Sequence, residues 1–214
     1  MKNSIFPKVF MWMFFGLLVS FGTGYFVYNN PNMLYNIFST SLYYIIIIAE
    51  LLIVIFLSAR IQKMNPLTAK LSFLLYSMVT GLTLSIIFVA FEITSIIYVF
   101  IITAFVFLLF ALLGYFTKID LSKYSTLLLM GLIGLIITTI VNIFLNNTLL
   151  DIILNWVGII IFVGLIAYDI QKIKRYELII DDQDKAAILG ALDLYLDFIN
   201  IFLRLLSLFG KSKD

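Results

Sequence analysis

Apolar residues fill seven long stretches of this chain, about 7–28, 33–58, 68–90, 94–116, 124–145, 152–173 and 186–209, separated by short polar breaks. A helix needs about 20 such residues to cross the hydrocarbon core of a bilayer. Each stretch therefore predicts one transmembrane helix, and together they predict an all-α polytopic membrane protein. No internal repeat, low-complexity tract or long linker interrupts the pattern, so residues 1–214 read as a single seven-helix transmembrane domain. Proline is confined to Pro7, Pro31 and Pro66, each near a segment start, where a missing N–H costs little. Apart from Gly22 and Gly24, the glycines stand singly along the segments, as close helix packing requires. Tyr25, Tyr28 and Tyr35 lie where an interfacial aromatic belt would anchor the bundle.

The seventh stretch breaks the apolar rule. Asp193, Asp197, Asn200 and Arg204 are spaced so that a helix, at ~100° per residue, brings them within roughly 60° of one another. They form one polar stripe on a helix otherwise rich in Leu, Ile, Phe and Ala. Asp169 lies in the preceding stretch, and Glu50 is carried deep in the second, ten residues and so ~15 Å from Arg60 at its end. Ionisable side chains at membrane depth face a bundle interior or a wet cavity, and commonly mark ion pathways or proton relays.

Composition narrows the chemistry. The chain is 63% hydrophobic and 12% charged, with a mean hydropathy of +1.13, values that exclude a soluble domain. It holds no cysteine and no histidine. Disulfides, thiolate chemistry and the usual imidazole pH switch are thereby excluded, so sensing near neutral pH falls to carboxylates. No nucleic-acid partner and no cofactor are expected. The Ile-, Asn- and Lys-rich usage suggests an AT-rich bacterial genome, hence a plasma-membrane protein.

The distribution of basic residues sets an expected orientation. Lys2, Lys8, Arg60, Lys63, Lys70, Lys118, Lys123, Lys172, Lys174, Arg175 and Lys185 belong to the N-terminus or to the connections after segments two, four and six. The connections near Asn30, Glu92 and Asn147 hold none. The N-terminus is expected in the cytoplasm, with the first stretch a full span rather than a cleaved signal peptide. Seven crossings put Lys211 and Lys213 outside, against the charge rule; a re-entrant seventh segment would keep them inside, and crossing is the expectation.

The run Ala191-Leu192-Asp193-Leu194-Tyr195-Leu196-Asp197-Phe198-Ile199-Asn200-Ile201-Phe202 resembles the signature of the Bax inhibitor motif family of transmembrane proteins. Tyr168-Asp169, the run from Thr117 to Ser122 and Arg60 support the likeness; segments one to three match in pattern more than in motif. The resemblance implies a seven-helix bundle with a central last helix and a pH-sensitive calcium leak. It also implies roles: Asp169 and Asp197 as a di-aspartyl pH sensor, and Arg60 as a latch on the pore.

The residues themselves are compatible with those roles. Two carboxylates in contact at a poorly solvated site cannot both ionise cheaply, so they share a proton and titrate as a pair. A guanidinium can bridge such a pair and stays charged. Calcium prefers hard oxygen ligands. Glu50, Asp193, Asp197 and Asn200 would offer it a sparse acidic path, with Asp169 and Asp197 as transient ligands. A competing reading pairs Glu50 with Arg204 as a structural ion pair, and Asp193 with a cytoplasmic vestibule.

An enzyme is not expected. An intramembrane aspartyl protease would also set two aspartates on adjacent helices, but Gly190-Ala191-Leu192 replaces its Gly-x-Gly element and no proline begins a Pro-Ala-Leu run. A proton-coupled cation exchanger built on the same dyad is the stronger alternative. Glu177, Asp181, Asp182, Asp184 and Lys185 read as a solvated loop, with Asp120 and Asp151 as helix caps. The basic connections suit attraction to anionic lipid.

Overall fold

A computed structural model describes residues 4–213, leaving aside the side chain of Gln62. Lys2, counted above in the basic N-terminus, lies outside the described residues. The eight helices among them are α1 (Phe6–Tyr28), α2 (Pro31–Phe38), α3 (Leu42–Arg60), α4 (Pro66–Ala90), α5 (Ile93–Phe116), α6 (Ser125–Leu145), α7 (Thr148–Ile179) and α8 (Gln183–Phe209). All except α2 are long and apolar enough to cross a membrane, as the hydropathy pattern predicts.

Local chemistry sets the helix ends. The three prolines enter first turns, and Asn65 caps α4 by accepting from the Thr68 amide at 2.7 Å. At the end of α6, Asn146 adopts the left-handed conformation (φ 49°), which asparagine tolerates better than most residues. The expected second stretch is not one helix. Ser39, Thr40 and Ser41 divide it into α2 and α3, with Thr40 Oγ1 donating to the Asn36 carbonyl at 2.6 Å and accepting from the Leu42 amide at 3.2 Å. Hydroxyl side chains offer the backbone an alternative to the helical ladder, and three in a row end it.

Two further expectations are corrected. Helix α7 continues to Ile179, so Lys172, Lys174, Arg175 and Glu177 stand on a helix rather than in a loop, and Asp184 and Lys185 already belong to α8. Asp151 lies inside the first turn of α7. The cap there is Asn147, whose Oδ1 accepts from the Leu150 amide at 3.0 Å, while Asp151 accepts from Asn155.

The packing divides into two compact units: residues 4–93, 176–195 and 212–213 in one, and 94–175 with 196–211 in the other. In the first, α1 and α4 pack along their lengths around small residues. A Cβ added to Gly81 would stand 2.6 Å from the Ser20 carbonyl oxygen, and one on Gly16 would stand 2.6 Å from the Phe73 ring. In the second, Gly114 of α5 lies against the Ala167 backbone of α7. Without a hydrophobic drive between helices in lipid, such close approach is what lets dispersion forces hold them.

Helix α8 is enclosed to a degree the others are not: 78% of its apolar window is buried, against 11% for α3 and for α6. Elsewhere large apolar side chains such as Ile55, Phe105 and Phe144 are exposed, as lipid contact demands. In the first unit, Asp184 near the start of α8 meets Lys8 of α1 and Lys70 of α4, each at 2.6 Å. Beyond the other end, Lys213 Nζ donates to Tyr28 Oη at 2.8 Å and to the Phe88 carbonyl at 2.6 Å. Both ends of the last helix are thus tied to the ends of α1 and α4, and its 27 residues are long and apolar enough to cross a membrane.

Candidate functional site

In the second unit, Asp169 of α7 and Asp197 of α8 are both buried, at 7% and 4% exposure. Burial of a carboxylate in an apolar bundle is costly unless charge or hydrogen bonds offset it. For Asp169 part of that offset is Lys172, one helical turn on, whose Nζ lies 3.4 Å from Oδ1. Beside Asp197, Phe198 packs into an aromatic cluster with Phe100 and Phe107, ring centroids 5.1 and 5.8 Å away. This cluster keeps bulk water from that side of the helix.

Three of the four stripe residues of α8, Asp193, Asn200 and Arg204, lie on its less enclosed side, with the buried Asp197 beside them. From Ala191 to Leu206, the residues not fully buried are Asp193, Leu196, Asn200, Leu203 and Arg204, which share one helical face. Asp193, in the first unit, accepts a hydrogen bond from Tyr176 Oη at 3.2 Å. Asn200 turns its amide back onto its own helix, donating to the Leu196 carbonyl at 2.8 Å.

Arg204 reaches α7. Its Nη1 donates to the Leu154 carbonyl at 3.0 Å, its guanidinium lies 5.7 Å from the Phe162 ring, and Nε is buried without a hydrogen bond. One turn on, Ser207 accepts from Asn155 at 3.0 Å. Glu50, in the first unit, accepts from Thr83 at 2.9 Å. Arg60, the last residue of α3, is exposed.

Three features escaped the sequence reading. Tyr195, between the two stripe aspartates, is fully buried, and its hydroxyl meets Ser20 Oγ at 2.6 Å. Ser20 also approaches the Ser77 carbonyl at 2.7 Å, so its single proton goes to a carbonyl and Tyr195 donates to Ser20. A tyrosine hydroxyl flanked by Leu194 and Leu196 was the available signal. Asp184, though partly exposed, holds two lysines. Gly158 gives Arg204 its place on α7 and is not a generic packing glycine.

Among the described residues, no group of three or more carboxylates is arranged to hold a metal ion. Tight calcium coordination, which takes six to eight oxygens, has no preformed cage there.

A family model described as inhibitor of apoptosis-promoting Bax1 matches residues 2–214. The inner membrane protein YbhL of Escherichia coli strain K12 is 42% identical over 212 residues, covering 96% of this chain and 91% of the relative. A protein of Borreliella burgdorferi is 38% identical over 218 residues, covering 100% of this chain and 94% of its own length. A membrane protein of Streptococcus pyogenes serotype M1 is 34% identical over 221 residues, with 98% and 93% covered. Match and relatives span essentially the whole chain, including the Asp193–Asp197 signature and all seven apolar helices: this integral membrane protein belongs to the Bax inhibitor family.

Proposed function

We propose that this chain is a pH-sensitive calcium leak channel of the bacterial plasma membrane, oriented with its N-terminus in the cytoplasm. Asp169 and Asp197 act as the proton sensor and Arg60 as the latch. The observation that carries the reading is the burial of both carboxylates, on α7 and α8, in a chain otherwise built from apolar helices. Buried acids in such a setting exchange protons as their function, because purely structural packing would use apolar residues at less cost. Glu50, Asp193 and Asn200 supply scattered oxygens along the ion's route, with Asp169 and Asp197 as passing ligands. Sparse ligation is what conduction needs, since an ion held by a filled coordination shell leaves slowly.

The deciding measurement is calcium flux into liposomes containing only this protein, followed across pH with and without an imposed proton gradient. A leak moves calcium down its own gradient and responds to pH on both sides as a modulator. Flux that appears only when protons move in the opposite direction would make the protein an exchanger. No flux under any condition would remove both.

A further inference from the structure

In the unit formed by residues 94–175 and 196–211, the end of α5, the connection to α6 and the outer turns of α7 meet. Gln171 of α7 fixes that connection from both directions. Its Oε1 accepts from the Leu121 amide at 2.9 Å and its Nε2 donates to the Ile119 carbonyl at 2.8 Å. Asp120 adds rigidity by accepting from the Ser122 amide at 3.0 Å and hydroxyl at 2.6 Å. These bonds hold its carboxyl below the usual carboxylate range, so it stays ionised through the neutral range. The result is a braced platform rather than a loose loop.

Five cations stand on this platform: Lys118, Lys123, Lys172, Lys174 and Arg175. Lys172 pairs with Asp169, and Lys174 is engaged with the Tyr115 carbonyl and ring. Lys118 and Lys123 are exposed, and Arg175 lies over the Tyr168 ring. None of these three has a carboxylate within salt-bridge distance among the described residues, and the single charge of Asp120, felt by both Lys123 and Arg175, leaves the cluster net positive. Around them, Phe116, Ile119 and Tyr124 expose 73%, 60% and 50% of their surface. The platform ends two membrane spans, so these apolar groups sit at headgroup depth, where amphipathic and basic side chains engage the interface.

We infer that Lys118, Lys123 and Arg175 form a docking site for the phosphate of an anionic phospholipid, with Phe116, Ile119 and Tyr124 set among its acyl chains. Charge complementarity chooses the occupant, and the apolar rim distinguishes a lipid from a free phosphate, which would gain nothing from it. Each cation near a charged membrane surface strengthens attachment by about fivefold, weakened by salt.

The test is native mass spectrometry of the full chain released from nanodiscs of phosphatidylcholine mixed with phosphatidylglycerol. The parent should retain phosphatidylglycerol in preference to phosphatidylcholine, and the variant K118A/K123A/R175A should retain it at least ~10-fold less. Gln171→Ala leaves every charge in place but frees the platform, and should weaken retention by a smaller factor. Should the triple variant not fold, the single Lys123→Ala must lose about fivefold and Lys123→Arg must not. Equal retention by parent and alanine variants would overturn the inference. So would displacement of the lipid by inorganic phosphate at comparable concentration, which would assign the site to a soluble anion.

Discussion

Arg204 of α8 lies directly over Gly158 of α7: a Cβ at position 158 would collide with the guanidinium Nε and Cζ. The glycine makes room for a cation whose Nη1 closes onto the Leu154 carbonyl one turn earlier on the same helix. Gly158→Ala should therefore expel Arg204 from its bond and lower stability by about 1–3 kcal/mol, the usual cost of overpacking. Thermal unfolding in detergent gives the readout. Because the clash is with the guanidinium, Gly158→Ala placed on an Arg204→Ala background should cost far less. Equal costs on both backgrounds would show that Gly158 serves only general packing.

The Tyr195–Ser20 hydroxyl pair makes an asymmetric prediction. Tyr195→Phe removes one hydrogen bond, an effect of about 1 kcal/mol, and leaves Ser20 its carbonyl acceptors. Ser20→Ala leaves the fully buried Tyr195 hydroxyl without that acceptor, and should cost more, about 1–3 kcal/mol. The double variant should then be less destabilised than the sum of the two. Strict additivity in a double-mutant cycle would mean that the two hydroxyls do not support each other.

Much of this architecture is legible in one dimension because lipid imposes a simple rule. Every spanning segment must satisfy its own backbone, so long apolar runs become helices whatever their neighbours. The same rule is blind to a short polar interruption: Ser39-Thr40-Ser41 carries no charge and hardly disturbs the hydropathy of the run, yet it separates α2 from α3. It is blind as well to where a helix stops, since Lys172 to Glu177 is polar sequence that nonetheless continues α7. The buried aspartates could be anticipated because a charge in an apolar run is conspicuous by itself. The partners of Gly158, Asp184 and Tyr195 could not. They lie 46, 114 and 175 positions away, at Arg204, Lys70 and Ser20, and no local pattern encodes such pairings.

Asp184 tethers the first helical turns of its unit, with Lys8 and Lys70 bound to separate carboxylate oxygens. Asp184→Asn removes the charge that holds both. These groups are substantially exposed, so the global effect should be small and salt-sensitive. The sharper expectation is local: amides at the start of α1 and α8 should exchange hydrogen faster in the variant, and the difference should shrink at high ionic strength. Unchanged exchange at both ends would show that the tether is not holding them.

A cysteine-free chain offers a clean test of orientation. Ser212 is exposed, just beyond the end of α8. With the N-terminus in the cytoplasm, a single cysteine replacing Ser212 should react with a membrane-impermeant thiol reagent applied outside intact cells, and a cysteine at Ser122 should not. The reverse pattern would invert the proposed orientation.

The sign of gating follows from the proposed latch. If the ionised aspartates hold Arg60, the closed state gains stability as pH rises, since a guanidinium bonds two carboxylates more strongly than one carboxylate and one acid. Acidification should open the channel, a two-state element biased by a local change of charge. Asp169→Asn and Asp197→Asn should each abolish most of the pH dependence of calcium flux. Arg60→Ala should leak at alkaline pH where the parent is quiet, and Arg60→Lys should restore closure only in part, because an ammonium lacks the planar fork. The opposing account has the ionised pair attract calcium directly, so that acid reduces flux and loss of Arg60 leaves the pH response intact. Flux that falls steadily on acidification of the parent would select that account and remove the latch.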